Sequence, residues 1–145
     1  MRIITLANHK GGVGKSATAH ALGVVLSREH GRSVLLVDCD PQGSLTASCG
    51  VKDVEGDSLA EVLGSSSPGS KSLADILVGI SENLYLAPAD IALSRAELGL
   101  VTRIGRENTL KRALATMDGA FDVVLIDSPP SLGLLTVNTL TAADA

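Results

Sequence analysis

The sequence predicts a three-layer α/β/α domain built on a mainly parallel sheet. Short, nearly continuous apolar runs at 2–7 (RIITLA), 33–38 (SVLLVD), 84–87 and 121–127 (FDVVLID) have the pattern of strands covered on both faces. Helix-patterned stretches lie between them, and this alternation implies βαβ units with right-handed crossovers. The 145 residues (14.8 kDa) fit one compact domain, 1–145, and a hydrophobic share of 45% with mean hydropathy +0.30 supplies its core.

The first strand ends at Asn8 and a glycine cluster. A helix is expected from about Gly14 to His30, with Ala19, Leu22, Val25 and Leu26 at 3/4 spacing as its apolar face and Gly31 as its stop. Further helical patterns fall at 58–63, 72–78, 91–103, 106–117 and Leu132 to Ala143. The low-complexity segment Gly64 to Ser72 (GSSSPGSKS) is expected to be a mobile surface loop.

Composition excludes several function classes. Aromatics amount to 1%, Tyr85 and Phe121, so base-stacking capture of single-stranded nucleic acid lacks its platforms. Net charge −4 and pI about 5.2 leave no global basic field for DNA or an anionic membrane, so such a contact needs a local patch. Cys39 and Cys49 have neither CxxC nor nearby histidine spacing, which argues against a disulfide framework, a zinc site and an iron–sulfur cluster. No run reaches the roughly 18 apolar residues a membrane span needs. A cytoplasmic protein is the expectation.

The strongest signal is His9-Lys10-Gly11-Gly12-Val13-Gly14-Lys15-Ser16, between the first strand and the first helix. Glycines let a backbone wrap closely around a phosphate with its N–H groups pointing inward, and the helix N-terminus adds its positive end. Lys15 is placed to neutralise β- and γ-phosphate charge, and the Ser16 hydroxyl to ligate Mg²⁺. The usual phosphate loop has glycine where His9 stands, and a second lysine, Lys10, follows it. This is a variant P-loop, and the fold it predicts is that of a P-loop NTPase.

Carboxylates close two of the strands. Asp38 and Asp40 end the second run, where open α/β sheets bind ligands. They share a face only while the strand continues, and Pro41 stops it. One can then approach Mg²⁺ through water while the other faces the γ-phosphate. Asx-turns ahead of Pro41 are the alternative for both. Asp127, after four apolar residues, has the Walker-B position for holding Mg²⁺ through its water shell, and a solvated strand-end aspartate is its alternative. Phosphoryl transfer needs charge neutralisation and an in-line water, and Lys15, Lys10, Ser16, Asp127 and Asp40 supply those parts.

In Lys10–Ser16, in Asp38-Cys39-Asp40-Pro41-Gln42-Gly43 and in Asp127-Ser128-Pro129-Pro130-Ser131-Leu132-Gly133, the chain resembles the ParA/MinD group of deviant Walker ATPases, and most closely the ParA-type partition ATPases. The likeness spans essentially all 145 residues. It implies ATP and magnesium as cofactors and nucleotide contacts from Lys10, Gly11, Gly12, Val13, Gly14, Lys15, Ser16 and Ala17. Ala17 departs from the threonine common in the group, with Thr18 as a neighbouring hydroxyl. The resemblance further implies that Asp40 positions the attacking water, that Asp38, with Ser16 and Asp127, serves the metal, and that Lys10 reaches across an ATP-dependent homodimer to the partner's phosphates. Slow hydrolysis would then time a dimer that binds nonspecific DNA and answers to a DNA-bound adaptor of ParB type. It would do so at the nucleoid and without a membrane. The group's proteins continue with further strands past the last of these segments, so the chain is expected to be C-terminally truncated.

Rival readings are a membrane-associated division-site ATPase, a tyrosine kinase with a similar loop, and a nonhydrolytic nucleotide-binding module. The first would need an amphipathic C-terminal helix, and Asp38-Cys39-Asp40-Pro41-Gln42-Gly43 favours the partition branch instead; the second uses a tyrosine-rich tail, and Tyr85 is the one tyrosine in these 145 residues. Arg103, Arg106, Lys111 and Arg112 form a basic stretch, expected to be a solvated helix face with DNA contact as the alternative. His9, His20, His30 and Cys39 are expected to be surface or packing residues.

Overall fold

The computed structural model of the chain describes residues 1–64 and 70–145. Most of the expected mobile loop, residues 65–69, lies outside the described residues. Among the described residues the five strands are β1 (Arg2–Leu6), β2 (Val34–Asp38), β3 (Val78–Ser81), β4 (Leu84–Ala87) and β5 (Val123–Asp127), in the order β1-β5-β2-β4-β3. All pairings are parallel except β3 with β4. The six helices of the described residues are α1 (Lys15–Arg28), α2 (Ser44–Ser48), α3 (Leu59–Gly64), α4 (Ala92–Leu100), α5 (Thr109–Ala115) and α6 (Leu134–Ala142), with 3-10 turns at Leu73–Ile76 and Arg106–Asn108.

Every residue of β2 is buried, as its unbroken apolar run predicts. Its side chains alternate between two cores. Val34 and Leu36 join Ala19, Leu45, Leu84, Leu86 and Leu125 on the side of α1 and α2. Leu35 and Val37 join Leu59, Leu93, Leu110, Leu114, Val124 and Ile126 beneath the remaining helices. The predicted three layers follow from that division.

The apolar face of α1 differs from expectation. Ala19, Gly23 and Ser27 are its buried residues, whereas Leu22 and Val25 are 36% and 39% exposed. The cause is close approach. A Cβ on Gly23 would lie 2.8 Å from Leu36 Cδ2 and 3.2 Å from Leu84 Cδ1. Small residues at four-residue spacing therefore bring the helix down onto the sheet, and the larger ones turn outward.

Two elements were not legible. The helical pattern at 72–78 resolves into a 3-10 turn, opened by a Ser72–Asp75 capping box, and then β3, because Leu77 already has an extended backbone (φ −69°, ψ 133°). Asn83, at φ +60°, makes the tight hairpin that returns β3 to β4 antiparallel. The short α2 follows Gly43, whose φ of +64° lets the chain reverse after Pro41.

Of the basic stretch, Arg103 donates to the carbonyls of Leu63 (3.0 Å) and Gly64 at the end of α3, and Arg106 to that of Val101 at 2.7 Å. These two cap helix and turn ends. Lys111 and Arg112 are exposed on α5. No helix among the described residues is long and apolar enough to cross a membrane.

Gly23→Val should lower the unfolding free energy by about 1–3 kcal/mol, because its branched side chain must displace Leu36 and Leu84 in a packed core. Urea denaturation checks this, and an unchanged midpoint would mean that α1 sits farther from the sheet.

Candidate functional site: a phosphate cavity at the strand ends

The sheet register puts three strand ends in one row. Leu6 pairs with Asp127, and Asp127 with Asp38. The glycine loop leaves β1, the Asp40 turn leaves β2 and the 128–133 segment leaves β5. All three emerge side by side at the carboxyl edge of the sheet, where open α/β folds bind ligands.

The loop is shaped by Gly12 (φ +68°) and Gly14 (φ +88°), in the left-handed region that L side chains rarely enter. Asn8 Oδ1 accepts the Lys10 N–H at 2.9 Å and bends its entry. Gly14 is the N-cap of α1 and offers no side-chain cap, so the first turn of this 14-residue helix presents free N–H groups. A cavity of about 320 Å³ lies there, lined by Gly11 to Ala17 together with Asp40, Ser44 and Pro130. Thus Gly11, Gly12, Val13, Gly14, Lys15, Ser16, Ala17 and Asp40 come together. Lys10 is exposed and does not line the cavity.

Ser16 Oγ donates to Asp127 Oδ2 at 2.5 Å, tying α1 to the end of β5. The other oxygen, Oδ1, is the one buried side-chain polar atom among the described residues without a hydrogen-bond partner. Burial raises the Asp127 carboxyl above its ordinary range; the Ser16 bond and the Lys15 charge pull it back, and Asp40 pushes it up. A buried carboxylate oxygen with nothing to accept, beside a serine hydroxyl and a free helix N-terminus, fits a hydrated divalent cation. No group of three or more His, Cys, Asp or Glu could enclose a metal among the described residues. Mg²⁺ does not require one, since it keeps several waters and binds through one or two protein ligands plus phosphates.

Asp38 is fully buried and differently engaged. Its Oδ2 accepts the Thr46 N–H at 2.8 Å and the Thr46 hydroxyl at 2.7 Å, and its Oδ1 accepts the Asp40 N–H at 3.1 Å. Thr46 Oγ1 in turn accepts the Ala89 N–H at 3.0 Å. Asp40 Oδ1 accepts the Gln42 N–H at 3.0 Å. Both aspartates therefore make Asx-turns, and that geometry leaves Asp40 half-buried at the cavity wall. The residues that sequence reasoning missed are Ser44 and Thr46. A helix start after Asp-Pro-Gln-Gly was the available signal, too short to register as periodicity. Cys39 is packed inside, its thiol pushed well up by burial and by Asp38, Asp127 and Asp40.

A strand–glycine loop–helix unit facing a Ser16–Asp127 pair defines a P-loop nucleotide-binding domain. A family model described as an AAA domain matches residues 1–145, and the chain belongs to that family. It resembles the ParA-type members throughout its length. It is 45% identical over 147 residues to the sporulation initiation inhibitor protein Soj of Bacillus subtilis, covering 99% of this chain and 56% of Soj. An uncharacterized protein of Mycobacterium tuberculosis is 47% identical, over 99% of this chain and 44% of its own. A crystal structure of cobyrinic acid a,c-diamide synthase from Mycobacterium smegmatis with bound ATP analog and magnesium superposes with TM-score 0.90 and 51% identity, covering 99% of this chain and 57% of that one. The chain spans about half the length of the curated relatives it matches.

Burial, the largest influence, raises the Asp38 carboxyl to about 6 against the bonds from Thr46 and Asp40, and Asp127 adds to the rise. The folded chain thus keeps a proton that the unfolded chain has lost, and stability attributable to Asp38 falls as pH climbs from about 4 to about 6. The unfolding free energy of the wild type relative to Asp38→Asn should fall by about 2–3 kcal/mol between pH 4 and pH 7. Urea titrations at both pH values check this, and a difference independent of pH would refute it.

Proposed function

We propose that the chain binds Mg·ATP and hydrolyses it slowly, as the nucleotide switch of a ParA-type DNA-partition protein. The observation that carries this reading is the unpartnered buried Oδ1 of Asp127, beside Ser16 and the uncapped start of α1. Lys15 and the N–H groups of Gly11 to Ala17 cradle the phosphates. Ser16 and Asp127 hold the magnesium ion, which neutralises charge on the β- and γ-phosphates. Asp38 supports that shell from behind by fixing the Asp40 turn through Thr46 and the Asp40 N–H. Asp40, at the cavity wall, orients the attacking water. The cofactors implied are ATP and Mg²⁺, in keeping with the ligands of the M. smegmatis structure.

Dimerisation is the finer part of the proposal. Lys10 is exposed beside the cavity and free to reach a second copy. Val13 and Leu132, 45% and 83% exposed, flank the same region with apolar surface that a partner subunit would cover. A ParB-type adaptor and nonspecific DNA are the partners this role requires, and the nucleoid its place in the cytoplasm. The synthase name of the M. smegmatis structure supports a second reading, ATP-driven amide formation. Phosphate release without any carboxylate or amine acceptor separates the two.

Asp40→Ala should bind ATP within about twofold of wild type and lose turnover by about 100-fold or more, the scale of a positioned proton acceptor. Single-turnover hydrolysis at saturating ATP measures this, and wild-type turnover would return Asp40 to a turn-forming role alone. Lys10→Ala should bind ATP normally and fail to dimerise with it. Sedimentation with ATP, and with ADP as the control, reads the outcome, and an ATP-dependent dimer of the variant would place Lys10 outside the switch.

A further inference from the structure

The segment Ser128–Gly133 joins Asp127 to α6 and forms one wall of the phosphate cavity through Pro130. A Cβ on Gly11 would lie 3.8 Å from Pro130 Cβ, so this wall stands directly against the glycine loop. The segment is tied at both ends. Ser128 Oγ donates to the Leu6 carbonyl at 2.9 Å, holding its start to the end of β1. Thr136 Oγ1 donates to the Ser131 carbonyl at 2.7 Å, holding its later part to α6.

The second tie is only as firm as the start of α6. Its N-cap, Gly133, offers no side-chain cap. The acceptor comes from another helix: Glu97 of α4 receives the Leu135 N–H on Oε1 at 3.0 Å. Glu97 also lies so close to Gly133 that a Cβ there would run into its carboxylate. A carboxylate at this point satisfies a free N–H and meets the positive end of the helix dipole. Gly133 has an extended backbone (φ −75°, ψ −175°), so its need for glycine comes from Glu97 and not from its dihedrals.

We propose that Glu97 is a positioning residue for ATP turnover: by anchoring the first turn of α6 it holds the 128–133 wall, and with it Pro130 and the end of β5, in register with the glycine loop. The inference rests on the hydrolysing reading given above. Glu97 does not line the cavity and its hydrogen bond goes to Leu135, so its effect belongs in turnover and not in nucleotide affinity.

The test uses the full chain with Glu97→Ala, Glu97→Gln and Gly133→Ala. Gln keeps an acceptor oxygen, and Gly133→Ala displaces the carboxylate while leaving it in the sequence. In nucleotide-free protein, amide hydrogen exchange at Leu135 should quicken about tenfold or more in Glu97→Ala and Gly133→Ala, and stay within about threefold in Glu97→Gln. With ATP and Mg²⁺, kcat should fall about tenfold in the first two and recover in Glu97→Gln, with KM within about twofold throughout. Faster exchange at Leu135 with unchanged kcat would reduce Glu97 to a helix cap and overturn the inference, as would unchanged exchange. Should Glu97→Ala fail to fold, Gly133→Ala against Glu97→Gln decides. A wild-type chain without turnover overturns the hydrolysing reading and this inference together; a wild-type chain with turnover and an indifferent Glu97 overturns the inference alone.

Discussion

Asp127 and Asp38 lie buried side by side, at the carboxyl ends of two neighbouring central strands. Burying a carboxylate is costly unless hydrogen bonds or a cation replace its water. Each is therefore met by a hydroxyl from a helix that starts just beyond the sheet: Ser16 of α1 on Asp127, Thr46 of α2 on Asp38. Those two bonds fix both helix starts relative to the strands. They also differ in what they leave. Asp38 ends with both oxygens engaged, whereas Asp127 bonds Ser16 through one oxygen and keeps the other without a partner.

The three segments around the cavity are held by polar ties to neighbouring elements, with apolar packing beneath. Asn8 bends the loop, Thr46 and Ala89 brace the Asp40 turn from α2 and the chain after β4, and Ser128 ties the β5 exit back to β1. Such short-range bonds tolerate small rearrangements better than a packed core does.

Much of this was legible from residue order. The glycine loop, both strand-end aspartates and the alternation of apolar runs with helices are local patterns, and the structure places Lys15, Ser16, Asp40 and the loop glycines around one cavity as those patterns imply. The rest depends on contacts remote in sequence. Ala19, Gly23 and Ser27 could not outrank Leu22 and Val25 as the buried face of α1 until Leu36 and Leu84 were known to lie beneath Gly23. The clamp on Asp38 needed α2, which is five residues long and has no periodicity to read. Glu97 and Leu135 are 38 positions apart, and nothing near either residue points to the other. Arg103 leaves the basic face for a similar reason, since it finds its acceptors at the end of α3, 39 and 40 positions away, while Arg106, Lys111 and Arg112 stay exposed.

On the proposed reading, the free oxygen of Asp127 and the hydroxyl of Ser16 receive a hydrated magnesium ion that arrives with a nucleotide. Calorimetric titration of ATP into the chain, with Mg²⁺ and then with a chelator in its place, tests it most directly. Binding with a one-to-one stoichiometry, weakened about tenfold or more without the metal, is the predicted result. Binding equally tight without Mg²⁺, or no binding in its presence, would contradict the account.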